Sequence, residues 1–144
     1  MIKIKGKWWV SLYGPEEKES IVGDNLITDA GISGLVSHLF SATVAPTTFT
    51  FKYIAIGAGS AAAASGDTAL GSELARHTAT ISQLSGGIYR ATATFTSGLG
   101  TGSISEYGLL DSSSAGTLFS RDVESVVNKS ANDSLSVTTE VTFS

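Results

Sequence analysis

The sequence contains one pattern that suggests a cofactor site, YIAIGAGSAA at positions 53–62, where a strand-like run is followed by small residues. In the G-x-G-x-x-A fingerprint, such glycines let a helix N-terminus approach a pyrophosphate. Here the alanine-rich run stops at positions 65–67, SGD, which leaves it too short for a crossover helix. No apolar strand ending in an acidic residue follows about 20 residues later. The pattern therefore indicates a surface loop, and we predict no cofactor.

The residue types that catalyse hydrolysis or bind metals are scattered. His38 and His77 have no carboxylates at metal-ligand spacing, and a zinc site needs three or four ligands, so we predict no metal site. The run GISG at 31–34 is not a G-x-S-x-G nucleophile elbow, and the chain has no cysteine and no P-loop lysine. We predict no catalytic residue. A small hydrolase, whose Ser, His and Asp can be distant in sequence, ranks last among the functions considered.

The N-terminal residues favour binding to a partner. Lys3, Lys5 and Lys7 alternate with apolar residues, and the adjacent Trp8 and Trp9 must point to opposite faces of a strand. The lysines fit the solvated face of an edge strand, where they discourage unwanted pairing. They also fit an arm that reaches an acidic neighbour, with the tryptophans as apolar anchors. We take all five residues as candidate partner-binding residues.

A second group of charges surrounds Leu70. Asp67, Glu73 and Arg76 mix opposite signs around one turn. One interpretation is a capped turn whose exposed ion pair contributes at most about 1 kcal/mol. The other is an intersubunit contact, because arginine is enriched in interfaces. Arg76 is therefore the sixth candidate partner-binding residue.

Composition limits the class of protein. Only 15% of the 144 residues are charged and the net charge is −4, which argues against nucleic-acid binding. A hydrophobic content of 42% argues against disorder, and the absence of an 18-residue apolar run argues against a membrane span. The interleaved N-terminal lysines do not form a secretory signal. We expect one soluble domain over residues 1–144, with residues 1–20 as an N-terminal arm or edge strand.

Hydrophobic periodicity predicts one helix and about eight strands. Period-two alternation and the turn residues between segments place strands at 2–10, 20–27, 49–57, 74–84, 88–97, 103–110, 117–127 and 135–143. Thr28 or Asp29 caps a helix over about 30–41, whose apolar residues recur at i, i+3, i+4, i+7 and i+8. A Ser-Gly-Gly run at 85–87 predicts a hairpin. This order indicates an antiparallel sandwich, jelly roll or barrel.

Several short segments occur in a recognisable order. They are NLITDAG at 25–31, YIAIG at 53–57, DTAL at 67–70 with Glu73 and Arg76, ATATF at 91–95, SEYGL at 105–109, GTLFSR at 116–121 and LSVT at 135–138. Together they resemble small virion structural proteins of tailed bacteriophages, especially capsid decoration (cement) proteins with jelly-roll-like folds. The resemblance spans about residues 25–143 and leaves the first 20 residues outside it.

The resemblance implies a fold and a function. The fold is a mainly β, antiparallel jelly-roll-like β-sandwich with one short α-helix. The function is structural and not enzymatic: the protein is made in the host cytoplasm, binds the major capsid protein lattice on the outer surface of the virion capsid, and stabilises the head. It implies self-association as a homotrimer or homodimer. We expect contacts from the N-terminal strand and from loops near 44–48 and 58–67.

Two alternative functions remain open. Related-looking modules in tail, fibre and baseplate proteins make a structural role in the tail the second interpretation. The third is a carbohydrate-binding β-sandwich, in which Trp8, Trp9, Tyr89 or Tyr107 acts as a stacking platform for a sugar.

Overall fold

The computed structural model describes residues 3–40 and 50–144, which contain nine strands and one helix. The strands are β1 (Ile4–Tyr13), β2 (Glu17–Ile27), β3 (Tyr53–Gly57), β4 (Glu73–Thr78), β5 (Thr80–Leu84), β6 (Ile88–Phe95), β7 (Gly102–Leu110), β8 (Leu118–Lys129) and β9 (Ser134–Phe143), and the helix is α1 (Asp29–Phe40). The protein is therefore mainly β with one short helix, as the sequence predicts. Residues 2, 41 and 49 belong to predicted elements, and we predicted contacts from the loop near 44–48. All of these residues lie outside the described ranges.

The strands form an antiparallel sheet that is nearly barrel-shaped, in the order β4-β3-β7-β8-β2-β1-β9-β6-β5. It bends at two corners. In β2, the residues before Leu26 pair with β1, whereas Leu26 and Ile27 pair with β8. At the second corner only Ala79 separates β4 from β5, which lie at opposite ends of the strand order. The chain itself thus joins the two ends of the sheet.

The interior is filled by the apolar residues that alternate along each strand. Trp8, Val10 and Leu12 of β1 point inward, and the ring of Trp8 lies 6.1 Å from the ring of Tyr107 on β7. Trp9 has the opposite orientation, as required for its neighbour in a strand. Among the described residues, no helix is long and apolar enough to cross a membrane.

Helix α1 begins at a side-chain cap and packs closely against β8. The hydroxyl of Thr28 accepts a hydrogen bond from the amide of Gly31 at 2.9 Å, which confirms the predicted cap. A Cβ atom on Gly31 would lie 2.6 Å from the backbone of Phe119, so only glycine permits this approach. Most of the predicted apolar stripe faces outward: Ile32, Val36, Leu39 and Phe40 are exposed, whereas Leu35 is half-buried.

Two expectations about the strands require correction. The N-terminal strand is not an edge strand, because β1 pairs with β2 on one side and β9 on the other. The predicted strand 74–84 is two strands, which explains why the structure has one more strand than the sequence predicts. The amide of Ala79 donates to the carbonyl of Lys52 at 2.7 Å, and this bond replaces a sheet pairing at the corner between β4 and β5.

Candidate functional site

A buried carboxylate on β7 fixes the small-residue loop between β3 and β4. The side chain of Glu106 is fully buried. Its Oε1 atom accepts from the amides of Gly59 at 2.9 Å and Ser72 at 2.6 Å, and its Oε2 atom accepts from the amide of Gly71 at 2.9 Å. One side chain therefore binds both ends of the loop over residues 58–72, which we call the small-residue loop.

Arg121 on β8 completes the attachment. Its Nε and Nη2 atoms donate to Oε2 of Glu106 at 3.1 and 2.9 Å, and its Nη1 atom donates to Oδ2 of Asp67 at 2.9 Å. The guanidinium also donates to the carbonyls of Ala61 and Ala62 at 3.1 and 3.4 Å. Because these acceptors lie in the middle of the small-residue loop, Glu106 and Arg121 together hold the loop at both ends and at its middle.

The charges in this network are stable at neutral pH. Burial alone would raise the pKa of Glu106, but the hydrogen bonds from Ser72, Gly71, Arg121 and Gly59 outweigh it and lower the pKa. The amide of Ala64, aided by Arg121, lowers the pKa of Asp67. Glu106 and Asp67 are therefore ionised under physiological conditions, and both face the same guanidinium.

The glycines in the apparent nucleotide fingerprint have a different role. A Cβ atom on Gly57 or Gly59 would lie 2.5 Å from Oε1 of Glu106, so both positions need glycine to admit the carboxylate. The small-residue loop also contacts the start of α1, where the amide of Asp29 donates to the carbonyl of Ser65 at 2.8 Å. The side chains between 60 and 66 are small and mostly exposed. This arrangement presents a surface of small, uncharged residues that is hydrogen-bonded to the start of α1.

The structure divides the N-terminal candidate residues into two groups. Lys3, Lys5 and Lys7 are exposed, and Trp9 is half-buried with the Nζ atom of Lys7 5.6 Å from its ring centroid. Trp8 is only 1% exposed and belongs to the core. The expectation that Trp8 contacts a partner is therefore wrong, because its inward orientation leaves no surface to bind.

Arg76 makes its hydrogen bonds within the chain. Its Nε and Nη2 atoms donate to Glu73 at 2.8 and 2.7 Å, and its Nη1 atom donates to the carbonyls of Ser112 and Ala115 at 2.8 and 2.7 Å. The residue thus links β4 to the loop between β7 and β8. Asp67, which the sequence grouped with Arg76, pairs with Arg121 instead.

A second polar cluster lies where β2 and β8 separate. A Cβ atom on Gly23 would lie 2.1 Å from Oε1 of Glu124 and 2.6 Å from Oδ2 of Asp122, so the two carboxylates converge on one point. Asp122 is 6% exposed, and its Oδ2 atom has no hydrogen-bond partner among the described residues. Burial, reinforced by Glu124, raises the pKa of Asp122 to about 6. We call these residues the acidic seam.

The acidic seam also affects the aromatic core. Tyr107 lies opposite Asp122 in the β7–β8 pairing, and within the described residues its buried hydroxyl has no hydrogen-bond partner. Burial and the charge of Asp122 raise the pKa of this hydroxyl. Sequence reasoning missed the acidic seam, although Asp122 and Glu124 alternate on a predicted strand. No group of three or more His, Asp or Glu residues in the described ranges is placed to hold a metal ion.

Comparisons of this chain with protein-family models, curated proteins and solved structures found no match.

Proposed function

We propose that this chain is a structural virion protein: a decoration protein that binds the major capsid protein lattice on the outer capsid surface and stabilises the head. The observation that carries the proposal is the attachment of the small-residue loop to Glu106 and Arg121. A loop that is already ordered loses little conformational entropy when it binds. This property suits a protein whose function is to hold its neighbours.

Helix α1 supplies apolar area next to that loop. Ile32, Val36, Leu39 and Phe40 are exposed on a helix whose first residue is hydrogen-bonded to the loop at Ser65. Exposed apolar residues at i, i+4, i+7 and i+8 form a surface that another protein can cover. We propose that this surface and the small-residue loop contact the capsid lattice or a second copy within a homotrimer or homodimer.

Stabilisation of the head then follows from mass action. A protein that binds the assembled lattice and not the dissociated subunits shifts the equilibrium toward the lattice. We propose a jelly-roll-like sandwich as the finer fold class, in keeping with the resemblance to decoration proteins. A tail, fibre or baseplate role is the alternative, and the same ordered loop and exposed face of α1 would serve a contact there.

Localisation on particles tests the proposal. Virions from the source that encodes this chain are imaged by cryo-electron microscopy, and the chain is identified in them by mass spectrometry. Regular density of about 15 kDa per copy over the head lattice, close to the 14.8 kDa of the chain, supports decoration. Density confined to the tail supports the alternative, and absence of the chain from the particle contradicts both.

A matched pair of variants tests the loop as the binding surface. Ser60→Arg adds a bulky side chain to the small-residue loop, whereas Ser113→Arg adds the same side chain to the exposed loop between β7 and β8. Particles lacking the protein are incubated with each variant and sedimented. We expect Ser60→Arg to co-sediment much less than wild type, and Ser113→Arg to bind normally. Equal binding by both variants would exclude the small-residue loop from the contact.

A further inference from the structure

The outer face of the sheet carries a groove that the proposed function does not use. It has a volume of about 420 Å³ and is lined by side chains from β1, β9 and β6: Trp9, Thr138, Glu140, Arg90 and Thr92. These side chains stand in two adjacent rows across three strands. Trp9, Thr138 and Thr92 are direct cross-strand neighbours, and Glu140 lies beside Arg90 in the next row.

The groove combines an aromatic surface with ordered polar groups. Trp9 is half-buried. The Nζ atom of Lys7 lies over its ring, 5.6 Å from the centroid, and the rest of the indole lines the groove. The Nε and Nη2 atoms of Arg90 both donate to Oε1 of Glu140. These two bonds do not involve Nη1 of Arg90 or Oε2 of Glu140, which can therefore serve a ligand. The hydroxyls of Thr92 and Thr138 lie 3.0 Å apart.

This combination matches the chemistry of a sugar ring. A pyranose has an apolar C–H face, which packs on an aromatic ring, and a rim of hydroxyls, each of which is both a donor and an acceptor. The Arg90–Glu140 pair offers a donor and an acceptor side by side, already held in position. Binding sites of this kind place a few oriented polar groups around an apolar surface.

The other aromatic residues considered for sugar binding do not line this groove. Trp8 and Tyr107 are buried in the core. The hydroxyl of Tyr89 donates to the carbonyl of Phe51 at 2.8 Å, and its ring packs against the core. The stacking role therefore falls to Trp9.

We propose that this groove binds a saccharide, with one sugar ring packed on the indole of Trp9 and its hydroxyls bonded to Arg90, Glu140 and the two threonines. We propose binding without cleavage, because glycoside hydrolysis canonically uses a pair of carboxylic side chains and Glu140 is the one carboxylate that the described residues supply to the lining. This site is separate from the small-residue loop, so the saccharide proposal does not depend on whether the protein binds a head or a tail.

The test begins with the full-length chain on an array of neutral and acidic oligosaccharides. The tightest-binding oligosaccharide is then titrated and followed by NMR of the indole N–H groups. The chain has two tryptophans, so the resonance of Trp9 should shift while that of the buried Trp8 stays in place. No binding at millimolar oligosaccharide, or a shift of the Trp8 resonance alone, would overturn the proposal.

Variants identify the groove as the site. We expect Trp9→Ala to lower affinity at least about tenfold, and Trp9→Phe to retain part of it because an aromatic face remains. Thr138→Val keeps the shape and removes one hydroxyl, so it should also weaken binding. Val22→Ala is the matched control, because Val22 is an exposed cross-strand neighbour of Trp9 outside the groove lining. Equal losses in Trp9→Ala and Val22→Ala, with folding unchanged by circular dichroism, would contradict a saccharide site.

Discussion

Glu106 and Arg121 form an ion pair in which both side chains are removed from solvent, at 0% and 3% exposure. Such a pair does not by itself stabilise a fold, because removing two charges from water costs about as much as their attraction returns. Here each partner also binds the backbone of the small-residue loop. The pair therefore holds the small-residue loop in one conformation, although the loop contains few side chains able to pack.

Replacing Arg121 should be strongly destabilising. Arg121→Met keeps much of the side-chain volume but leaves the carboxylate of Glu106 buried without its cation. We expect the free energy of unfolding to fall by about 3–5 kcal/mol, measured by urea denaturation at pH 7. Adding Glu106→Gln to this variant removes the unpaired charge, so the double variant should recover part of the loss.

Arg90→Met is the matched control for this comparison, since it removes a partly exposed arginine that pairs with Glu140. A pair of this kind should contribute at most about 1 kcal/mol. If Arg121→Met lowers the free energy of unfolding no more than Arg90→Met does, the buried pair does not hold the small-residue loop in place.

The same carboxylate predicts a response to acid. Because the pKa of Glu106 is lowered in the folded protein, its contribution is complete above the unfolded value of 4.5 and is lost as pH falls through the lower folded value. We compare the thermal unfolding of wild type and Glu106→Gln between pH 7 and pH 3. The difference in melting temperature should be large at pH 7 and should shrink below pH 4.5. A difference that stays constant with pH would contradict an ionised Glu106.

Local sequence patterns were sufficient to predict much of the fold. Alternation along β1 and β9 identified both strands, and the choice of Thr28 or Asp29 as a cap identified the start of the helix, because each signal depends on residues close together in sequence. The connection at Ala79 could not be read in this way. The run 74–84 contains no glycine, proline, asparagine or aspartate to mark a turn, and what separates the two strands is a tertiary bond from Ala79 to Lys52.

The candidate sites were harder to predict because they depend on long-range pairing. Glu106 and Arg121 are 15 residues apart and meet only through the β7–β8 pairing. Both lie in segments that carry the resemblance, but neither belongs to a motif for catalysis or ligand binding. The sequence also could not show which of Trp8 and Trp9 is buried. Alternation requires that one of them is buried, but the pairing of the whole sheet sets which face points inward.

Gly31 should be intolerant of substitution although it lies in a helix. Gly31→Ala improves helix propensity by about 1 kcal/mol, but its Cβ atom would collide with the backbone of Phe119 at 2.6 Å. Overpacking against backbone costs about 1–3 kcal/mol, so we expect net destabilisation in urea denaturation. Ser33→Ala, at an exposed position of the same helix, should be neutral or slightly stabilising. Stabilisation by both substitutions would show that α1 does not pack closely on β8.

Asp122 should make the protein less stable as pH rises. Because its pKa is raised from 3.8 to about 6, ionisation is harder in the folded state than in the unfolded chain. The cost begins above pH 3.8 and is complete above pH 6, where it reaches at most about 3 kcal/mol.

Asp122→Asn removes this cost while keeping a side-chain oxygen that can accept from the amide of Val123. We expect the variant to gain stability in urea denaturation at pH 8 and to match wild type at pH 3.5. Glu16→Gln removes one exposed carboxylate from the turn between β1 and β2 and controls for the change in net charge. It should leave stability nearly unchanged at both pH values. A gain for Asp122→Asn that is equal at pH 3.5 and pH 8 would indicate better packing instead of relief of a buried charge, and it would contradict the raised pKa.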